Sequence, residues 1–216
     1  SRWRARPRPW RNAGWAAPIE DQDRYLEKCA SFASNDELFS RFRQDPDYQK
    51  ILEGNVIDVG LTGYENLLTY GAVEEFLERK EQFSEADSVG GAQVQQIASL
   101  GMFAPNTVRY AAIAFEIRCM KTNTRRIVEI GGGYGGMCKA MSVLFDFDEY
   151  VIVDLPPALE LAKKYLSHFP IHTKVKYVSA LDLVPLGNFD LCIADASMAE
   201  CDLATQEAYM DLYLKK

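Results

Sequence analysis

The sequence predicts an α/β fold in which a parallel sheet follows a helical N-terminal region. In the second half of the chain, four short segments rich in valine and isoleucine are each bounded by Gly, Pro, Asp or Asn, which is typical of buried strands. These segments are 126–130, 149–153, 174–178 and 189–194. Helical patterns lie between strands, and this alternation is that of a parallel sheet. Residues 19–123 carry helical signals without convincing strand alternation.

Capping signals mark the helix starts in the N-terminal half. Asn35 lies just before an apolar stretch, and Asp45 stands directly before a proline, as in many first helical turns. Apolar spacing predicts an amphipathic helix over 64–83 with a bend at Gly71, and a further helix over 105–120. We interpret this half as a helical cap region, since no catalytic motif stands out in it.

The predicted elements divide the chain into a basic arm (1–18), the helical N-terminal cap region (19–123) and an α/β domain (124–216). In this last part, helices are predicted over 135–145, over 157–169 and from residue 203 onward. The arm has five arginines, three prolines, no acidic residue and no periodicity, which favours a disordered segment. A transit peptide or a nucleic-acid-binding arm stays open as an alternative.

Composition excludes several classes of protein. The 216 residues are 48% hydrophobic and 25% charged, as in globular proteins, and no apolar run reaches the roughly 18 residues that span a bilayer. The net charge is −7, and −12 over residues 19–216, where 19 basic side chains face 31 acidic ones, which argues against nucleic acid as a partner. The five cysteines are scattered without zinc-type spacing, so we expect a cytoplasmic protein with no metal site.

The motif that carries chemistry lies at the end of the first predicted strand. It reads Glu129-Ile130-Gly131-Gly132-Gly133-Tyr134-Gly135-Gly136 and precedes a helix. Glycines in such a loop let the backbone turn sharply and approach a ligand closely. Asp154 ends the second strand, 18 residues after Gly136, where a carboxylate can accept hydrogen bonds from ribose hydroxyls. Loop and acid together predict a site for a nucleoside-containing cofactor.

Two cofactors fit the glycine spacing. Gly131-x-Gly133-x-x-Gly136 is the dinucleotide fingerprint, whereas Glu129-x-Gly131-x-Gly133-x-Gly135 is that of S-adenosylmethionine sites. A carboxylate at position 129 is unfavourable beside a pyrophosphate and favourable beside a sulfonium and an ammonium group. The loop also follows about 120 residues of helical sequence, whereas dinucleotide domains often begin with it. We therefore favour S-adenosylmethionine, with a nicotinamide-dependent oxidoreductase as the alternative.

These motifs resemble those of the sugar O-methyltransferase family. The resemblance covers roughly residues 100–216 and includes Val151-Ile152-Val153-Asp154-Leu155-Pro156 and, more weakly, Ser197-Met198-Ala199-Glu200-Cys201. It implies a Rossmann-like class I methyltransferase sheet of which only strands 1–4 are present, so we expect a C-terminally truncated chain. Methylation of a hydroxyl on a sugar or glycosylated metabolite is the implied activity. A non-catalytic cofactor-binding remnant is the third interpretation.

The resemblance also implies roles for individual residues. The methionine part of the cofactor would contact Glu129, Gly131, Gly133 and Gly135, the ribose Asp154, and the adenine Leu155 and Asp182. Asp182 could equally be a plain turn residue. The acceptor would contact Ser197 and Tyr134, and the base that removes its hydroxyl proton would be Glu200, with Asp195 as second choice. His168 and His172 lie late in the second predicted helix of the sheet domain and in its following loop, at the end of the sheet away from the cofactor, and are expected on the surface.

Overall fold

The structure is a computed structural model that describes residues 19–49, 57–182, 184–195, 197–201 and 203–214. The predicted basic arm, 1–18, lies outside these residues. Among the described residues, none of the helices combines the length and the apolar composition that crossing a bilayer requires.

The N-terminal half is mainly helical, as predicted, with one short hairpin. Its elements are α1 (Ile19–Ser34), α2 (Asp36–Phe39), α3 (Pro46–Tyr48), α4 (Ile57–Thr69), α5 (Val73–Glu78), α6 (Lys80–Ser84), β1 (Gln95–Ile97), β2 (Gly101–Phe103) and α7 (Pro105–Cys119). The Asn35 side chain accepts from the Leu38 amide at 3.0 Å, and Asp45 caps α3 in the same way. Both predicted helix starts are thus confirmed.

The single helix predicted over 64–83 is wrong. The chain forms three helices there: Gly71, where a bend was predicted, adopts a φ of +64° and turns the backbone after α4, and a second break lies at Arg79 between α5 and α6. The antiparallel hairpin of β1 and β2 was not predicted, since strands of three residues are too short to show alternation.

The second half contains a four-stranded parallel sheet, as predicted. Its elements are β3 (Arg126–Ile130), α8 (Gly136–Leu144), β4 (Glu149–Asp154), α9 (Pro156–Leu166), β5 (Val175–Ser179), β6 (Leu191–Ile193) and α10 (Leu203–Tyr209), with a π-helical turn at Met210–Leu214. The strand order is β5-β4-β3-β6. From β3 the chain moves to one side for β4 and β5 and then returns to the other side for β6. The protein is therefore a mixed α/β protein.

Helices cover the sheet on both faces. Ile127 and Ile152 belong to a core formed with α7, α8 and α9, whereas Val128 and Val153 pack on the opposite face with Tyr209 of α10. The segments after β3 and β6 thus leave the sheet toward opposite faces. Where two neighbouring parallel strands do this, their carboxyl ends border a crevice, which is where such sheets bind ligands.

The helical region and the sheet share one hydrophobic core. The ring of Tyr134, just before α8, lies 5.6 Å from that of Phe42 and 4.9 Å from that of Tyr165 in α9. The guanidinium of Arg43, which is fully buried, lies over the Tyr134 ring at 5.3 Å and donates to the Ala86 carbonyl at 2.8 Å. The helical region therefore packs against α8 and α9 and fixes their position.

Helix α7 is held at its first turn by a buried carboxylate. Asp87 accepts from the Ala104 amide at 2.9 Å and from the Thr107 hydroxyl at 2.6 Å. Pro105 occupies the first helical turn, where its missing N–H costs no hydrogen bond. This anchoring fixes the direction of α7, which carries Arg109 toward the loop after β6.

Candidate functional site

The glycine loop continues β3 and then turns into α8. The Gly131 amide still donates to the Val153 carbonyl at 2.8 Å. Gly131 and Gly135 adopt φ values of +75° and +91°, which L side chains rarely adopt. A Cβ on Gly135 would also lie 2.9 Å from the Leu166 side chain. Packing and backbone conformation therefore require these glycines, whether or not a ligand is bound.

Asp154 joins the glycine loop to the end of β4. Its Oδ2 accepts from the Gly133 amide at 2.9 Å, and its Oδ1 accepts from the Leu155 amide at 2.6 Å. The side chain is half-buried at the carboxyl edge of the sheet. A carboxylate at the end of this strand is the type of group that accepts hydrogen bonds from ribose hydroxyls.

Glu129 places a buried carboxyl group beneath the loop. Its side chain is 3% exposed, and its Oε2 accepts from the Tyr150 hydroxyl at 2.8 Å. A Cβ on Gly132 would lie 3.2 Å from this oxygen, so the carboxyl group underlies the loop backbone. The pKa of Glu129 is raised to about 8, mainly because the group is buried and also because the charges of Asp154 and Asp195 lie nearby, while the bond from Tyr150 acts in the opposite direction.

Asp195 lies two residues beyond β6 and is paired with an arginine from the helical region. Its Oδ2 lies 2.6 Å from Nη1 of Arg109, and the two side chains are 24% and 33% exposed. Arg109 also lies over the Tyr110 ring at 4.8 Å and donates from Nε to the Asn106 side chain at 3.2 Å. Sequence reasoning gives Arg109 no site role, because a single basic residue on a helix carries no such signal.

Ser197 brings the segment after β6 against the glycine loop. Its hydroxyl donates to the Ile130 carbonyl, and its Cβ lies where a side chain on Gly131 would stand. Ser197 begins a short 3-10 helix that ends at Glu200. Ser197 thus contacts the glycine loop, whereas the Glu200 side chain lies outside the described part of the chain.

Two predicted adenine contacts lie at neighbouring strand ends. Leu155 is the half-buried residue that precedes α9, and Asp182 is exposed in the turn after β5. The Asp182 amide donates to the Ser179 carbonyl at 3.1 Å, and Ser179 lies opposite Asp154 in the sheet. Asp182 therefore belongs to a turn at this edge, which agrees with either of the roles proposed for it.

The position of Tyr134 argues against the acceptor contact predicted for it. The side chain is 2% exposed and packs in the core against the helical region. Tyr134 contributes to a small cleft between α6, α7 and α8 that is also lined by Thr107 and Lys139, but by no residue of the strand ends. The Tyr134 side chain therefore packs in the core and not in the crevice.

His168 and His172 are exposed, as predicted. His168 lies just beyond the end of α9 and stacks on Phe39, with ring centroids 5.5 Å apart. Within the described residues, no group of three His, Cys, Asp or Glu side chains is arranged to hold a metal ion.

The assembled edge therefore combines a glycine loop, an acidic strand end and one ion pair. Glu129, Asp154 and Asp195 lie close enough for their charges to affect one another. Such a surface favours a ligand with positive charge and disfavours a polyanion. Neither a protein-family model nor a curated protein matches the chain.

Proposed function

We propose that this protein is an S-adenosylmethionine-dependent O-methyltransferase with a Rossmann-like class I sheet, acting on a hydroxyl of a sugar or glycosylated metabolite. One observation carries the proposal. The glycine loop after β3 meets the acidic side chains of Glu129, Asp154 and Asp195 at the carboxyl edge of the sheet, beside the crevice between β3 and β6 where the strand order reverses. The strand order and the helices on both faces support the fold assignment.

Charge favours this cofactor over a dinucleotide. S-adenosylmethionine carries an ammonium and a sulfonium, and both gain energy beside Glu129 and its acidic neighbours. A pyrophosphate would instead be repelled by the charged form of Glu129 beneath the loop, so its binding would require Glu129 to stay protonated. We assign the methionine part to Glu129, Gly131, Gly133 and Gly135. We assign the ribose contact to Asp154 and the adenine contacts to Leu155 and Asp182.

The reaction needs alignment and proton removal from the protein. When bound, S-adenosylmethionine supplies a methyl group on a positively charged sulfur, which is already reactive. The chain must hold the acceptor oxygen in line with that methyl and accept the hydroxyl proton. Asp195 is engaged by Arg109 at 2.6 Å, which orients its carboxylate toward the guanidinium. We therefore keep Glu200 as the preferred base and Asp195 as the second.

A thermal-shift experiment tests the proposed cofactor. S-adenosylhomocysteine at about a hundredfold excess over its Kd should raise Tm by about 5 to 10 °C, because it binds the folded state alone. Asp154→Ala should abolish this increment, since it removes the ribose acceptor. The same variant should also melt earlier without ligand, because the Gly133 and Leu155 amides lose their acceptor.

Asp148→Ala is the matched control. Asp148 precedes β4 at the opposite end of the sheet, where it is exposed and paired with Arg125. This variant should keep the full ligand increment. Stabilisation of the wild-type protein by NADH and not by S-adenosylhomocysteine would contradict the proposed function and favour a dinucleotide site.

A further inference from the structure

Arg109 brings a fixed positive charge to an otherwise acidic edge of the sheet. Its guanidinium is held by three side chains, Asp195, Asn106 and the ring of Tyr110. It is nevertheless one-third exposed, so it can contact a bound molecule. The helix that carries it is itself anchored by Asp87, so the guanidinium does not have to be ordered when a ligand binds.

A ligand of the proposed type poses an electrostatic problem at this edge. Its ammonium is attracted by Glu129, Asp154 and Asp195, but its carboxylate is repelled by the same groups. An amino-acid group therefore binds well here only if a cation meets its carboxylate. Among the described residues at this edge, Arg109 supplies a guanidinium beside one of the three acids.

From this arrangement, and resting on the proposed function, we infer that Arg109 binds the carboxylate of the amino-acid part of the methyl donor. In the structure the Asp195 carboxylate is paired with Nη1 of the Arg109 guanidinium. A guanidinium has five N–H donors in a planar fork, so a second carboxylate can be bound beside Asp195 or in its place. Asp195 would then lie beside the amino-acid group of the methyl donor.

The inference predicts a specific dependence on the ligand. S-adenosylhomocysteine carries the carboxylate, whereas its decarboxylated analogue, with an aminopropyl chain, keeps the adenosine, sulfur and ammonium and lacks it. Arg109→Gln should lower the affinity for S-adenosylhomocysteine by about 10- to 100-fold, the range expected for a lost charge-assisted bond. The affinity for the decarboxylated analogue should change by less than about threefold, because no carboxylate is present to lose its partner.

Arg118→Gln is the matched control on the same helix. Arg118 also pairs with a carboxylate, Glu75, and lies over an aromatic ring, Phe115, at 4.7 Å, but nine residues further along α7. Its substitution should leave the affinity for both ligands unchanged. If Arg109→Gln does not fold, Arg109→Lys supplies the test, because it keeps the charge and loses the planar fork. Arg109→Lys should lower the affinity for S-adenosylhomocysteine by a smaller factor than Arg109→Gln, and it should again leave the affinity for the decarboxylated analogue nearly unchanged.

Calorimetric titration of each variant with both ligands separates the outcomes. Equal loss of affinity for the two ligands, or no loss for either, would overturn the role of Arg109 while leaving the proposed cofactor in place. Failure of the wild-type protein to bind either ligand would overturn the proposed function and this inference with it.

Discussion

Binding of S-adenosylhomocysteine should depend on pH through Glu129, and the structure gives the size of the effect. The pKa of this buried carboxyl group is raised to about 8 in the unliganded protein. At pH 7 only about one tenth of the molecules then carry the charged form, and at pH 6 about one hundredth. An ammonium beside Glu129 favours the charged form and lowers its pKa in the complex. The affinity should therefore rise about tenfold per pH unit up to about pH 8 and then level off.

Tyr150 and Cys138, which lie beside Glu129, do not titrate in this window. Burial raises the pKa values of Tyr150 and Cys138 above their ordinary values, so both stay neutral below pH 8. Asp154 and Asp195 are neighbours whose charges raise the pKa of Glu129. Glu129→Gln is the matched variant, since its amide oxygen can still accept from Tyr150 and the side chain cannot ionise.

Calorimetric titration at pH 6, 7 and 8, in buffers of different ionisation enthalpy, measures both affinity and proton release. Wild-type protein should release about 0.9 proton per ligand at pH 7, and Glu129→Gln close to none. The reasoning is refuted if wild-type affinity is flat from pH 6 to 8, or if the same slope persists in Glu129→Gln. A persisting slope would show that a group other than Glu129 carries the pH dependence.

The stability of the unliganded protein offers an independent check that the pKa of Glu129 is raised and not lowered. The folded-state pKa of Glu129 is raised from 4.5 to about 8, so its contribution to stability is fully present below pH 4.5 and is lost as pH rises toward 8. Glu129→Gln has no such loss. The difference in Tm between the variant and the wild-type protein should therefore shift in favour of the variant between pH 5 and 8.

Two further predictions concern the loop and the base. Gly135→Ala should lower the free energy of unfolding by about 1 to 3 kcal/mol, from a φ of +91° and the contact with Leu166, when measured by urea unfolding. Gly71→Ala is the control, because Gly71 has a φ of +64° but no atom lies within 4 Å of the added Cβ. It should lower the free energy of unfolding by less than Gly135→Ala does. Equal decreases in the two variants would contradict the packing argument. Glu200→Gln should keep the affinity for S-adenosylhomocysteine and lower turnover by about 100-fold or more, as for loss of a general base. Unchanged turnover would assign that role to Asp195.

Much of the sheet could be predicted from local sequence. β3 begins and ends where the run of branched apolar residues does, and β4 and β5 differ from their predicted bounds by a single residue at the ends. The side chains of β3 and β4 are buried on both faces, so hydrophobicity marks these two strands without alternation. The helix breaks were harder to predict: the sequence indicates a bend at Gly71, but the apolar spacing continues through Arg79, where α5 ends.

The site was predicted only where it is local in sequence. The loop and Asp154 belong to short motifs, and the amide of Gly133 does meet the carboxylate of Asp154. The pairing of Arg109 with Asp195 joins residues far apart in the chain, and no pattern of residue types indicates it. Tyr134 illustrates the converse, because a residue inside the motif is drawn into the core by aromatic contacts with a distant segment.

The glycine loop is weaker support for a ligand than Glu129. Gly131 and Gly135 are required by the fold itself, since Ser197 and Leu166 occupy the space that side chains would need. A buried carboxyl group has no such structural justification. Burying it costs free energy once it ionises, and one hydrogen bond from Tyr150 offsets only part of that cost. A neutral side chain would serve the core better, so a cationic ligand above this carboxyl group is the simplest physical reason for its presence.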